Sequence, residues 1–243
     1  MDGALSEGLL NHLERGGPQH IPRPPLVDPG SPAPWSHLDP HSLDLSIERV
    51  RSVFTDLDPA LRSARAHTVK RGAAVLVPLY EERDELSVVL TRRSVALRVH
   101  SGEMSFPGGG QDPGEALTET ALREAWEEIA LAPNRVEIVG ELDHLSTISS
   151  DSFIAPFVGI VNGGRPDLTP NPAEVDAVAH VTLSELLHPD VYHEERWHIF
   201  GEPHPIFFFE LYGDTVWGAT AAMLRQLLGL LTGTLSRGDV DHF

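Results

Sequence analysis

The 243-residue chain contains no cysteine, which excludes disulfides and thiolate metal sites and fits a reducing, cytoplasmic location. Its opening residues, MDGALSEG, hold neither a basic n-region nor a long apolar run, so no secretory signal is legible there. Nor does any uninterrupted apolar run approach the roughly 18–20 residues that span a bilayer. The most apolar stretch, residues 216–233, is broken by Arg225 and Gln226. A soluble protein without a membrane partner is expected.

Positive charge is also scarce. Eighteen Lys and Arg stand against 36 Asp and Glu, a formal net charge of −18. A general nucleic-acid binder needs a basic surface to meet the phosphate backbone, so that partner class is not expected. An anionic small molecule needs only a local basic pocket, and ten of the 18 cations lie between Arg49 and Arg98.

What is present divides the chain unevenly. Residues 1–41 carry eight of the 20 prolines, with IPRPPLVDPGSPAPW in the middle. Such a segment buries little apolar surface, and it reads as a flexible or surface-draped N-terminal extension. From residue 42 to 243 one domain is expected. Leu43, Ile47, Val50, Phe54 and Leu57 recur at steps of three and four, one face of an amphipathic helix. Asp58-Pro59 has the form of a cap and first turn of a second short helix, through about Ala66. Residues 72–80 and 85–93 are β-rich runs joined by a charged turn. A helix over 115–130 follows, then strands at 136–145, 153–161, 174–183, 196–200 and 205–212, a short helix at TLSELL, and a closing helix over 216–233. This order, without regular βαβ alternation, predicts an α/β (α+β) sandwich around a mixed sheet.

The densest chemistry lies in residues 105–131, SFPGGGQDPGEALTETALREAWEEIAL. In a helix starting near Glu115, Leu117, Ala121, Ala125 and Ile129 form a buried stripe, which Leu122 and Trp126 widen. Glu124, Glu127 and Glu128 converge on a neighbouring face, where like charges cost a few tenths of a kcal/mol per pair. Two readings stand side by side: a solvated acidic face, or an oxygen-rich nest for Mg²⁺ or Mn²⁺. The glycines just before the helix tilt the balance toward a ligand, since their backbone permits close approach and offers a carbonyl, for instance that of Gly109.

These residues resemble the Nudix box, G-x5-E-x7-R-E-U-x-E-E-x-G-U with U aliphatic, of hydrolases acting on nucleoside diphosphates linked to another moiety. Gly109 opens the pattern, Glu115 follows at the required distance, REAWEE supplies Arg123, Glu124, Glu127 and Glu128, and Leu131 closes it. Ala125 fills an aliphatic position, and Ala130 stands where the pattern has glycine. The resemblance implies an α/β/α sandwich and a divalent-cation cofactor. It also implies Glu124 and Glu128 as metal ligands, and Glu127 as ligand or orienter of the attacking water. Arg123 would hold a catalytic glutamate, and Glu115 would support loop and helix.

Residues 90–109, LTRRSVALRVHSGEMSFPGG, are similar to a second signature, that of the coenzyme A pyrophosphatase branch of Nudix proteins. Thr91, Arg93, Leu97, His100, Gly102, Phe106, Pro107, Gly108 and Gly109 fall in register, and Val89 replaces a leucine. NPAEV (171–175) and VWGATAAML (216–224) extend the likeness. It implies hydrolysis of coenzyme A or its thioesters, with ADP-ribose, NADH or a non-catalytic nucleotide-sensing role as the rival readings. Arg92, Arg93, Arg98 and His100 are the candidate phosphate partners, with Gly108 and Gly109 on the loop beneath; a surface charge is the rival reading for Arg92 and a structural histidine that for His100 taken alone. Glu174 is a candidate further acid against the plainer reading of a solvated loop glutamate, and Asp151 is a weaker one. Phe106 and Trp217 read as core. His188, His193, His198 and His204 are spaced by five and six, which puts them on no common face, so no zinc site is expected. The oligomeric state, a homodimer included, stays open.

Overall fold

A computed structural model describes residues 14–62, 72–97, 100–146, 153–199 and 201–239. Among them are twelve strands and four α-helices. The strands are β1 (Val27–Pro29), β2 (Ala73–Glu82), β3 (Glu85–Arg93), β4 (Met104–Ser105), β5 (Gly108–Gly110), β6 (Val136–Glu141), β7 (Leu145–Ser146), β8 (Phe153–Val161), β9 (Val175–Thr182), β10 (Tyr192–Ile199), β11 (Glu202–Leu211) and β12 (Asp214–Trp217). The helices are α1 (Ile47–Asp56), α2 (Leu117–Ile129), α3 (Leu183–Leu186) and α4 (Gly218–Thr232).

Eight strands form a mixed sheet with the main path β4-β3-β2-β8-β6, β5 pairing with β2, β7 with β8 and β9 with β3. Only β2 and β8 run parallel within it. The β2–β3 hairpin closes on Arg83 and Asp84 at φ 56° and 62°, the pair of left-handed residues that a two-residue turn matched to strand twist requires.

Strict alternation along the central strands sorts the core into two layers. Ala74, Leu76 and Tyr80 of β2, with Phe153, Ala155, Phe157 and Val161 of β8, meet Ala121, Ala125 and Ile129 of α2. The intervening Val77, Leu79, Val158 and Ile160 face a larger cluster holding Val50 and Phe54 of α1, Ala221, Leu224, Leu228 and Leu231 of α4, and Phe207 and Phe209 of β11. The result is an α/β/α sandwich around a mixed sheet, with a second, four-stranded sheet β1-β10-β11-β12 beside it.

Three expectations change. Residues 14–41 are not loose: β1 pairs with β10, and Trp35 is 4% exposed inside the larger cluster. Ile21 and Val27 pack on Trp197, Ile206 and Phe208. An extended chain without apolar periodicity gains its partners one residue at a time from a distant sheet. Of the short helix expected from Asp58 to about Ala66, residues 63–66 lie outside the described residues, and 58–62 are not helical, because tertiary bonds claim their backbone: Asp58 O accepts from Arg237, and Leu61 N–H donates to Asp143. Trp126 does not widen the buried stripe of α2, being 52% exposed. Trp217 ends β12 and is the N-cap of α4, as its place at the head of the closing helix implies, and it packs partly buried against the Trp197–Phe208 cluster.

Candidate active site

The approach to α2 is a tight turn. Glu115 N–H donates to Asp112 O at 3.1 Å, and Gly114 at φ 84° follows Pro113, the residue order that a type II turn favours. Ala116 brings no capping oxygen, and the Glu119 carboxylate instead accepts the Ala116 N–H at 2.9 Å. The helix then presents its acidic face to β5.

Arg123 is the hub of that face. Its guanidinium grips Glu115 through Nε and Nη2 at 2.8 and 3.1 Å. Nη1 donates to Glu124 at 2.8 Å and Glu127 at 3.0 Å, and Nη2 reaches the Gly110 carbonyl at 3.1 Å. The bond to Glu115 is the main reason Arg123 holds its proton more tightly than usual. In return Arg123, then Thr120, holds Glu115 down at about 2. Glu115 therefore stays a carboxylate anchored to the loop, since it also accepts the Asp112 N–H at 3.1 Å.

Glu128 lies deeper, 2% exposed. Burial pushes its pKa up to about 7 against the pull of the Gly108 N–H and Arg93, with Glu124 and Glu174 adding to the rise. Gly108 N donates to Glu128 Oε2 at 3.3 Å, and Arg93 Nη1 stands 3.7 Å from Oε1. Glu124 is raised as well, chiefly by burial, with Glu127 and Glu174 contributing. The glycine loop fits around these groups. A Cβ on Gly109 would lie 2.5 Å from the Glu124 carboxyl carbon, and one on Gly108 would lie 2.4 Å from the Ala74 carbonyl.

Glu174 reaches this cluster because the loop before β9 docks on the end of α2. Thr169 and Asn171 donate their N–H groups to the carbonyls of Ile129 and Glu128 at 3.1 and 2.8 Å. The helix ends in a left-handed Ala130, φ 55°, whose N–H satisfies the carbonyls of Ala125 and Trp126. Asn171 was not singled out from sequence; the turn-forming Asn-Pro of NPAEV was the available signal.

Arg93 turns toward Glu128, whereas Arg92, next along β3, lies on the opposite face and pairs with Asp214 of β12 at 3.4 Å. Period-two alternation separates the two, and Arg92 is not brought to the carboxylates. His100, left-handed at φ 55°, is exposed and pairs with Glu103 at 2.8 Å. Phe106 is buried beneath the loop. Arg98 and Asp151 lie outside the described residues. The histidines of the later tract go separate ways: His188 faces Asp190, His193 stacks on Phe208, and His198 bonds Asp28.

Among the described residues no three carboxylate or imidazole groups already stand gathered at metal-ligand spacing. The donor chemistry nonetheless fits a hard dication. Glu128 is buried with little compensation, and Glu124 and Glu174 each raise its proton affinity, a repulsion that a +2 charge would offset.

A NUDIX domain model matches residues 70–200. An uncharacterized Nudix hydrolase, NudL, of Photorhabdus laumondii is 38% identical over 158 residues, covering 65% of this chain and 83% of the relative. The NudL of Escherichia coli O1:K1 is 38% identical over 188 residues, covering 75% and 93%. A solved MutT/nudix family protein from Enterococcus faecalis superposes with a TM-score of 0.45 at 15% identity, over 75% of this chain and 73% of that one. The chain belongs to the Nudix family of hydrolases, pyrophosphohydrolases of nucleoside diphosphate derivatives. Divalent-cation dependence is general in that family.

Proposed function

We propose that this Nudix hydrolase cleaves the diphosphate of coenzyme A or its thioesters, giving 4′-phosphopantetheine and adenosine 3′,5′-bisphosphate. The observation that carries the reading is the meeting of the two signatures in space. The run from 90 to 109, similar to that of coenzyme A pyrophosphatases, delivers Arg93 and Gly108 to Glu128 of the Nudix helix. A cation for a substrate phosphate thus stands beside the carboxylates that would hold Mg²⁺ or Mn²⁺.

In this reading Glu124 and Glu128, with Glu127 and the Gly109 carbonyl, form the cation site. A bound dication would supply charge neutralisation at the phosphoryl oxygens. Arg123 fixes Glu124 and Glu127 by the bonds described, and Glu115 fixes Arg123. Glu174 is not engaged by Arg123, and it sits close enough to Glu124 and Glu128 to raise both. It is the carboxylate we assign to accept the proton of the attacking water. Arg93, with its Nε buried and without a hydrogen-bond partner, takes a phosphate oxygen of the substrate.

Arg93→Ala tests the assignment. A charge-assisted bond to phosphate contributes about 1.5 to 3 kcal/mol, so kcat/KM for coenzyme A should fall roughly 10- to 150-fold. A contact to the 3′-phosphate would spare dephospho-coenzyme A, and a contact to the diphosphate would impair both substrates alike. Unchanged kinetics on both would remove Arg93 from the site.

A further inference from the structure

The pairing of β3 with β9 is irregular beside the site. Thr91 faces Val178 and Arg92 faces Ala177, but Arg93 faces Val175. Asp176 is therefore an extra residue on β9, a bulge, and bulges turn a side chain out of the pleat and re-aim it. The Asp176 carboxylate accepts the Val95 N–H at 3.1 Å, while the Glu174 carbonyl accepts the Ser94 N–H at 2.8 Å. The first two amides of the chain leaving β3 are both held by residues 174–176.

Beyond them the loop closes on itself. Leu97 N–H donates to Ser94 O at 3.1 Å, and Ser101 Oγ donates to Val95 O at 3.0 Å. It returns to β3 where Gly102 N–H bonds Arg93 O at 3.1 Å and Arg93 N–H bonds Glu103 O at 2.9 Å. Val95 is 72% exposed, so apolar packing does little to orient the turn.

We propose that Asp176 is a positioning residue for substrate binding: its bulged carboxylate sets the direction in which the chain leaves β3 at Ser94 and Val95, and so aligns Arg93 with the diphosphate. The inference rests on the reading of this site as a diphosphate site. Loss of the acceptor frees Arg93 in the unliganded protein and weakens its hold on the substrate equally in the ground-state and transition-state complexes, which is the signature of a KM effect.

The test compares full-length wild type, Asp176→Ala and Asp176→Asn in Mg²⁺-supported hydrolysis of coenzyme A and ADP-ribose, with hydrogen exchange followed over residues 93–103. Asp176→Ala should raise KM about 3- to 30-fold with kcat within about twofold of wild type. Its amides at 94–97 should exchange faster. Asp176→Asn, whose amide oxygen accepts the same N–H, should stay near wild type in both readouts. An unchanged KM in Asp176→Ala, a kcat that falls as far as kcat/KM, or an Asp176→Asn as impaired as Asp176→Ala would each overturn the proposal. If wild type turns over neither substrate, the diphosphate reading fails instead, and exchange decides alone: faster exchange in Asp176→Ala sustains the hold on the loop, and unchanged exchange overturns it.

Discussion

Burial, with Glu124 and Glu174 alongside, pushes the Glu128 carboxyl up to about 7 in the metal-free protein. The folded chain keeps a proton that the unfolded chain releases near the ordinary value of 4.5. Metal-free stability should therefore fall as pH rises across that window. Glu128→Gln removes the titration. With chelator present it should melt at the same temperature as wild type near pH 4.5, and should be more stable at pH 8 by roughly 1–3 kcal/mol. The same substitution should cost at least about 10²-fold in hydrolysis if charge stabilisation dominates. Calorimetry across pH and a steady-state assay check the two halves. Glu124, Glu127 and Glu128 are legible in the sequence because helical steps of three and four need no tertiary information. The surface position of Arg92 is legible too. Val88 and Leu90 face the larger core cluster, and two residues on, Arg92 must follow them.

At the scale of elements, α2 carries a backbone cost that the sequence announced. Ala130 occupies the left-handed position where the Nudix pattern has glycine, at φ 55°. Ala130→Gly should stabilise the protein by about 1 kcal/mol and raise Tm by about 2–4 °C. A thermal melt with no increase would show that the helix end is relaxed in another way. Elements with strong local periodicity, such as α1, α2 and the β2–β3 hairpin, could be read directly. Residues 58–62 could not, because the N-cap chemistry of Asp58-Pro59 is local, whereas the bonds from Arg237 and to Asp143 come from the far end of the chain and from β6's exit. The bulge at Asp176 was equally hidden, since it exists only in the register between two strands.

Across the whole molecule, the N-terminal segment behaves as part of the fold over residues 14–41. Trp35 stacks on Phe209 with ring centroids 6.3 Å apart and meets Tyr192 edge-on at 5.4 Å. Arg23 lies over Phe208 and bonds Glu195 at 2.8 Å. Trp35→Ala should cost about 3–5 kcal/mol, and removal of residues 1–41 should lower Tm further by exposing Trp197 and Phe208. A truncated protein that melts with the parent would return the segment to the role of a loose extension. Composition could not show this packing, because a proline-rich chain that adds one strand and a few single anchors carries no period.

In the proposed reading Arg93 joins the Nudix carboxylate cluster to coenzyme A. Product identification after incubating the protein and Mg²⁺ with coenzyme A, ADP-ribose or NADH at equal concentration tests this reading most directly. Coenzyme A should give 4′-phosphopantetheine and adenosine 3′,5′-bisphosphate in equal amounts, with the highest kcat/KM of the three and loss of turnover in Glu128→Gln. Preferred cleavage of ADP-ribose or NADH with coenzyme A left intact would contradict it.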